Sequence, residues 1–122
     1  MGVVVRELIV DCNDPRLVAN FWGAALGWKV RQNDDVLWMS SSDAPFPEPL
    51  LVFVQVPEAK TAKNRLHLDV SPVGCDAEVE VARLEALGAK RVDIGQGEQP
   101  WVVLADPEGN EFCVLNRRAD LA

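Results

Sequence analysis

The chain repeats a short segment at a spacing of half its own length. Ala25-Leu26-Gly27-x-Lys29 recurs as Ala86-Leu87-Gly88-x-Lys90, an offset of 61 in a chain of 122 residues. In both halves the segment follows a helical apolar pattern and comes before short β-branched segments. Such internal similarity is typical of a duplicated supersecondary unit. The sequence therefore predicts two copies of one module.

The first half predicts the order strand, helix, strand, strand, strand. Residues 3–12 are rich in β-branched side chains and predict the first strand. Asp14-Pro15 follows, which is a favourable helix N-cap with proline at the first helical position. Gly27 ends the helical pattern, and strand patterns follow over 28–31, 36–40 and 50–56.

The second half repeats this order. Asp76 is the expected N-cap of its helix, which ends at Gly88. Its strand patterns cover 65–70, 90–94, 101–105 and 111–116. We therefore expect an α+β fold in a single domain, residues 1–122, with modules at about 3–57 and 65–116.

The composition of the chain limits which classes of molecule it can bind and which kinds of site it can form. The formal net charge of −7 disfavours nucleic acid and anionic membranes. No apolar run approaches the roughly 18 residues of a membrane helix, so no membrane partner is expected. Three cysteines are an odd and small number for a disulfide framework, which favours free thiols in a reducing cytoplasm. The single histidine excludes any zinc motif that needs two.

Alternation along three strands places polar side chains on one face of each predicted sheet. We expect the apolar sets to pack under helices, and these sets are Leu8/Val10/Cys12, Leu66/Leu68/Val70 and Phe112/Val114. The opposite face carries Glu7, His67, Asp69, Glu111 and Cys113. If the two halves meet edge to edge, these polar groups converge in one concavity.

The residues alone leave several roles open. His67 can be a metal ligand, a general base or a polar group satisfied by its neighbours. Cys113 can be a small buried apolar side chain or a nucleophile. Glu7 and Asp69 either pair with an arginine or receive a cationic ligand or a proton. The cations Lys60, Lys63 and Arg65 either bind an anionic group or lie solvated in a loop.

Motifs in both halves resemble the vicinal oxygen chelate superfamily, which includes glyoxalases, bleomycin-resistance proteins, extradiol dioxygenases and fosfomycin-resistance enzymes. The motifs are Asp14-Pro15 before Phe21-Trp22, Leu26-Gly27-Trp28, Leu87-Gly88-Ala89 and Asp106-Pro107-Glu108-Gly109-Asn110. The segments 56–58, 63–69 and 110–115 are most similar to bacterial glyoxalase-like domains. The resemblance covers residues 3–116 and implies two βαβββ modules that form an open, partly closed barrel around a concave cavity.

The resemblance also implies a divalent metal, with ligands from the first and last strands of each module. The matching positions here are Glu7, Phe53, His67 and Cys113. Phenylalanine cannot ligate a metal, so the implied ligands are Glu7, His67 and Cys113, for Zn, Ni, Fe or Mn. The cysteine departs from the oxygen-and-imidazole sets of the metal-dependent members.

Three hypotheses about function follow. The first is a small-molecule-binding protein that needs no metal, as in the bleomycin-resistance members, with a pocket formed by Trp38, Phe53, Arg65, Asp69, Trp101 and Glu111. The second is a metal-dependent glyoxalase-like isomerase, lyase or dioxygenase that acts on a small oxygenated metabolite. The third is a metal-free acid–base enzyme that uses Glu7 and His67. The resemblance also implies a homodimer, since exposed strand edges invite pairing.

Overall fold

The computed structural model describes residues 1–41, 49–93, 95 and 100–121. The chain divides into two compact units, Met1–Ala59 and Lys60–Ala122, and this boundary falls between the two predicted modules. Within the described residues, each unit contains one α-helix and one four-stranded sheet in the order βαβββ. The predicted α+β fold with two βαβββ modules is therefore confirmed.

The first unit contains one helix and the strands of the first sheet. Its elements are β1 (Glu7–Cys12), α1 (Pro15–Leu26), β2 (Arg31–Asn33), β3 (Val36–Met39) and β4 (Leu50–Gln55). The strand order is β1-β4-β3-β2, with β1 parallel to β4 and the other pairs antiparallel. The predicted strand over 3–12 begins only at Glu7, and Val3, Val4 and Val5 are exposed.

Helix α1 begins and ends where the sequence predicts. The Asp14 carboxylate accepts a hydrogen bond from the Leu17 amide at 3.2 Å, and Pro15 occupies the first turn. Gly27 ends the helix with a φ of 72°, a backbone conformation that favours glycine. The apolar stripe of the helix is buried, with Val18, Phe21 and Trp22 at its centre.

The register of the first sheet corrects the sequence-based placement of Phe53. Phe53 lies opposite Val10 on β1 and opposite Leu37 on β3, and it is fully buried. Opposite residues of a sheet share a face, so Phe53 lies on the face opposite to that of Glu7. Val52, opposite Ile9, takes the position on the Glu7 face. The expectation that Phe53 stands at a ligand position is therefore wrong by one residue.

The second unit repeats the architecture. Its elements are β5 (Asp69–Val70), α2 (Ala77–Leu87), β6 (Lys90–Arg91), β7 (Trp101–Ala105) and β8 (Glu111–Leu115). The strand order is β5-β8-β7-β6, with β5 parallel to β8. Part of the predicted strand over 90–94 lies outside the described residues. No described helix is long and apolar enough to cross a membrane.

The fifth strand is much shorter than predicted. Only Asp69 and Val70 pair with β8, although the Cys113 amide also donates to the Leu68 carbonyl at 2.9 Å. Leu66 is 87% exposed, so the expectation that it packs under a helix is wrong. Upstream of the predicted strand, the Asn64 amide donates to the Glu111 side chain at 2.8 Å.

A buried turn holds the start of β8 in place. Asp106 is 3% exposed, and its Oδ1 accepts hydrogen bonds from the backbone amides of Glu108 and Asn110, both at 3.0 Å. The Asn110 side chain donates to both carboxylate oxygens. Gly109, with a φ of 91°, completes the turn. This turn sets the position from which Glu111 and Cys113 extend along the strand.

Candidate functional site

Three side chains with metal-ligating atoms meet where β5 lies beside β8. Asp69 stands opposite Cys113 in the parallel register, and His67 precedes Asp69 by two residues. The His67 Nδ1 lies 3.3 Å from the Asp69 Oδ1. One ligand atom from each of His67, Asp69 and Cys113 lies within 4.8 Å of the other two. We call these three residues the His–Asp–Cys cluster.

The cluster combines exposed polar groups with a buried thiol. The side chains of His67 and Asp69 are 38% and 50% exposed, whereas Cys113 is 7% exposed. Burial raises the pKa of the Cys113 thiol, and Asp69 raises it further through its charge and a hydrogen bond. Lys63 acts in the opposite sense and lowers that pKa. The thiol is therefore protonated at neutral pH, which makes it a weak nucleophile.

Glu111, two residues before Cys113, anchors the segment that leads into the cluster. Its Oε1 accepts a hydrogen bond from the Asn64 amide at 2.8 Å, and its Oε2 lies 2.9 Å from the Lys60 ammonium. Burial raises the pKa of Glu111, but the hydrogen bonds from Asn64 and Lys60 outweigh this effect and lower it. We call this arrangement the Glu111 anchor. It connects residues 60–64 to the strand that carries Cys113.

The same sheet face contributes an aromatic side chain. Trp101 on β7 lies opposite Leu115, and Val103 lies opposite Cys113. Residues two apart on a strand share a face, so Trp101 and Cys113 lie on one face of the second sheet. Trp101 is half-buried. Arg65 is exposed and makes no ion pair with any residue in the described ranges.

The remaining predicted site residues belong to the first unit. Glu7 is exposed on β1, with its carboxylate on the face of Ile9 and Val52. Trp38 is opposite Val52, and the Arg31 guanidinium lies 5.5 Å from the centre of its ring. Glu7 and Trp38 therefore share a face of the first sheet. Their roles as ligand and pocket residue stay sequence-based predictions.

The sequence predicted other roles for three residues of this region. Asp69 was expected to line a pocket, but it stands between the imidazole and the thiol. The His67-x-Asp69 spacing, two residues apart in a strand-like segment, was the available signal. Lys60 was expected either to bind an anionic group or to lie solvated in a loop, and Glu111 was expected to line a pocket. In the structure the two side chains pair with each other. No local pattern connects two residues that lie 51 positions apart.

The donor set determines which metals the cluster suits. An imidazole, a carboxylate and a thiolate are all zinc ligands, and three protein ligands with one open position are typical of catalytic zinc sites. Thiolate ligands also disfavour magnesium, calcium and manganese. The three cysteines of the chain are free, so Cys113 is available as a ligand. The residues present therefore fit a zinc-type ion.

Comparison with known proteins places this arrangement in context. A family model described as a glyoxalase-like domain matches residues 7–115. No protein of curated function matches the chain.

Solved structures from several bacteria share the fold. A hypothetical protein from S. aureus is 15% identical with a TM-score of 0.68, over 96% of this chain and 95% of that one. A glyoxalase-related enzyme from Fulvimarina pelagi is 18% identical with a TM-score of 0.65, over 92% and 86%. The fosfomycin resistance protein FosX from Mesorhizobium loti is 13% identical with a TM-score of 0.65, over 97% and 93%. At these identities the likeness shows the fold alone.

Proposed function

Because the chain belongs to the glyoxalase-like domain family, within the glyoxalase/bleomycin-resistance/dioxygenase superfamily, we propose that it binds a small oxygenated molecule at a zinc-type centre formed by His67, Asp69 and Cys113. The observation that carries the proposal is the meeting of three different ligand atoms within 4.8 Å. The ion, when bound, supplies a Lewis acid with an open position for a ligand oxygen. Catalysis is not part of the proposal.

The chain's own residues prepare the cluster for this role. Asp69 lies beside the His67 imidazole and stands opposite Cys113 in the β5–β8 pair, so the three groups lie together before any ligand arrives. The Glu111 anchor fixes the chain three residues upstream of His67. Trp101, on the face of Cys113, supports an apolar wall beside the cluster.

This assignment changes the ligand set that the superfamily resemblance implies. Asp69 joins His67 and Cys113 in the proposed ligand set, and the role of Glu7 stays a sequence-based prediction. Zinc is favoured over Ni, Fe and Mn because one donor is a thiolate. The metal-free acid–base hypothesis with Glu7 and His67 also stays a sequence-based prediction.

Zinc titration by calorimetry tests the proposal. We expect the wild type to bind one equivalent of zinc, and Cys113→Ser and Asp69→Asn each to weaken binding by ~100-fold, since even outer-shell partners contribute 10- to 100-fold. Cobalt substitution gives a second readout, because a cobalt–thiolate bond absorbs in the near ultraviolet and Cys113→Ser should abolish that band.

Cys75→Ser is the matched control, because Cys75 is also a free cysteine of the second unit but lies outside the cluster. It should bind zinc like the wild type. A wild type that binds no zinc, or a Cys75→Ser variant as weak as Cys113→Ser, would overturn the metal centre. Tryptophan fluorescence titrated with cationic aromatic antibiotics would then test the metal-free binding mode.

We also infer that the protein forms a homodimer in a reducing cytoplasm. Strand β1 is at the edge of its sheet, and Ile9 on that strand is 58% exposed beside the exposed Val3–Val5 segment. An exposed apolar edge of this kind favours association. Light scattering at micromolar concentration should give twice the chain mass, and Ile9→Lys should shift the mass toward the monomer. A monomeric wild type would contradict the inference.

A further inference from the structure

The segment from Lys60 to His67 carries a lysine, Lys63, whose ammonium has no carboxylate partner among the described residues. Lys60 is engaged by Glu111 and by the Ala62 carbonyl. Lys63, three residues later, has only a 3.3 Å hydrogen bond to the adjacent Asn64 carbonyl. Among the described residues, no carboxylate lies within ion-pair distance of the Lys63 ammonium. Its charge is therefore available to a ligand.

The fold holds Lys63 next to the cluster. The Asn64 amide is fixed on Glu111, which shares the Cys113 face of β8. Leu68 is fixed by the hydrogen bond between its carbonyl and the Cys113 amide. Lys63 thus immediately precedes a short segment, residues 64–68, whose two ends are both held against β8.

The charge of the site favours an anion. A zinc-type ion is neutralised by the Asp69 carboxylate and the Cys113 thiolate, and Glu111 is neutralised by Lys60. Lys63 adds a positive charge that no described carboxylate neutralises, although the whole chain carries a net charge of −7. A local cation in an acidic protein selects a negatively charged ligand and increases its local concentration.

Building on the proposed function, we propose that the Lys63 ammonium binds the carboxylate of a small 2-hydroxy- or 2-oxocarboxylate, whose neighbouring oxygen reaches the His–Asp–Cys cluster. The charge of the Lys63 ammonium matches the single negative charge of a carboxylate, and a hydroxyl or oxo oxygen beside that carboxylate can act as the ligand of a zinc-type ion. Lys63 is thereby a specificity residue that distinguishes the acid from its neutral amide.

Two probes of the same shape test this assignment. Glycolate carries a hydroxyl next to a carboxylate, and glycolamide has the same shape without the charge. Both are titrated by calorimetry into zinc-loaded wild type, Lys63→Met, Lys63→Arg and Lys90→Met. Lys90 is the matched control, since it is an exposed lysine on β6, at the opposite edge of the same sheet.

We expect glycolate to bind the wild type and to bind Lys63→Met roughly fivefold more weakly, the factor that one partly exposed ion pair contributes. Lys63→Arg and Lys90→Met should bind it like the wild type, and glycolamide should not respond to Lys63→Met. Glycolate that fails to bind the wild type, or that binds Lys63→Met as well, overturns the assignment. An equal loss in Lys90→Met also overturns it, because the effect is then the general loss of one charge.

The zinc titration separates this inference from the function on which it rests. If zinc binds and the affinity for glycolate does not depend on Lys63, the metal centre is supported and the assignment of Lys63 to the carboxylate is wrong. If zinc does not bind, the metal centre falls, and the same titration of the metal-free protein decides the anion assignment. Glycolate binding that depends on Lys63 supports it there, and binding that does not depend on Lys63 overturns it.

Discussion

The two modules have the same order of elements but differ at their outer parallel strands. In the first module β1 pairs with β4 over six residues, whereas in the second module β5 pairs with β8 over two. Upstream of β5, the Glu111 carboxylate accepts the Asn64 amide. The comparison teaches that the module with the shorter ladder is the one in which His67, just outside the strand, meets Asp69 and the buried Cys113 thiol.

The helices of the two modules also differ, in capping and in the charge of the first turn. Helix α1 buries a continuous apolar stripe and is capped by a side chain. Helix α2 has Glu78 and Glu80 in its first turn and no side-chain hydrogen bond from its N-cap Asp76. Its surface is held partly by an ion pair between Glu80 and Arg83, at 2.7 Å. The two helices thus differ in capping and in surface charge, although each unit has a buried apolar core.

The largest expected effect concerns the core of the first module. Phe53→Ala should lower the free energy of unfolding by about 3–5 kcal/mol, because a fully buried aromatic side chain leaves a cavity. Ile9→Ala, on the other face of the same sheet, should cost less than about 1 kcal/mol. Urea denaturation measures both. If Phe53→Ala lowered the free energy of unfolding as little as Ile9→Ala does, the assignment of Phe53 to the buried face would be wrong.

The helix caps provide a smaller and directly matched comparison. Asp14→Ala should cost about 1 kcal/mol, because the Asp14 carboxylate accepts the Leu17 amide. Asp76→Ala should cost less than about 0.5 kcal/mol, since that side chain makes no cap hydrogen bond. Thermal and urea unfolding measure the two variants in parallel. Equal losses would show that the modules do not differ in capping.

The smallest effect is a pH dependence specific to the second module. The pKa of Glu111 is lower in the folded chain than in the unfolded one, where it is about 4.3. Its contribution to stability is therefore complete above pH ~4.3 and is lost as the pH falls through the folded pKa. Between pH 5 and 3 the unfolding free energy of the wild type should fall more steeply than that of Glu111→Gln, by less than about 1 kcal/mol.

If the unfolding free energies of the wild type and Glu111→Gln changed in parallel with pH, this account of the Glu111 anchor would be wrong. Lys60→Met is the companion variant, because it removes one of the two hydrogen bonds to Glu111 and leaves the Asn64 amide in place. Its curve should lie between the other two.

Local chemistry explains why most of the fold could be predicted. Asp14-Pro15 and Gly27 determine the ends of α1 through cap geometry alone, and they lie where the structure has them. The strand 101–105 was predicted with its bounds, since its apolar run is bounded by a proline and a turn. His67 and Cys113 were assigned to one face from strand alternation, and their ligand atoms do meet.

The errors have one physical cause, which is that register and hydrogen-bond partners are decided between distant segments. The apolar alternation of Leu66 predicts a buried strand residue, but the ladder with β8 begins only at Asp69 and Leu66 is 87% exposed. The superfamily resemblance placed Phe53 at the ligand position of the fourth strand. The pairing of β1 with β4 puts Val52 there instead, because a slip of one residue moves a side chain to the opposite face.

By itself, the sequence determined the duplication, the βαβββ order and the helix ends, because each depends on residues within a few positions of one another. Only the tertiary structure decided that Asp69 joins His67 and Cys113, that Glu111 is satisfied by Lys60 and Asn64, and that no described carboxylate pairs with Lys63. These outcomes depend on which segments the sheet brings side by side. Hydrogen bonds and charges act over a few ångströms in space, whatever the separation along the chain.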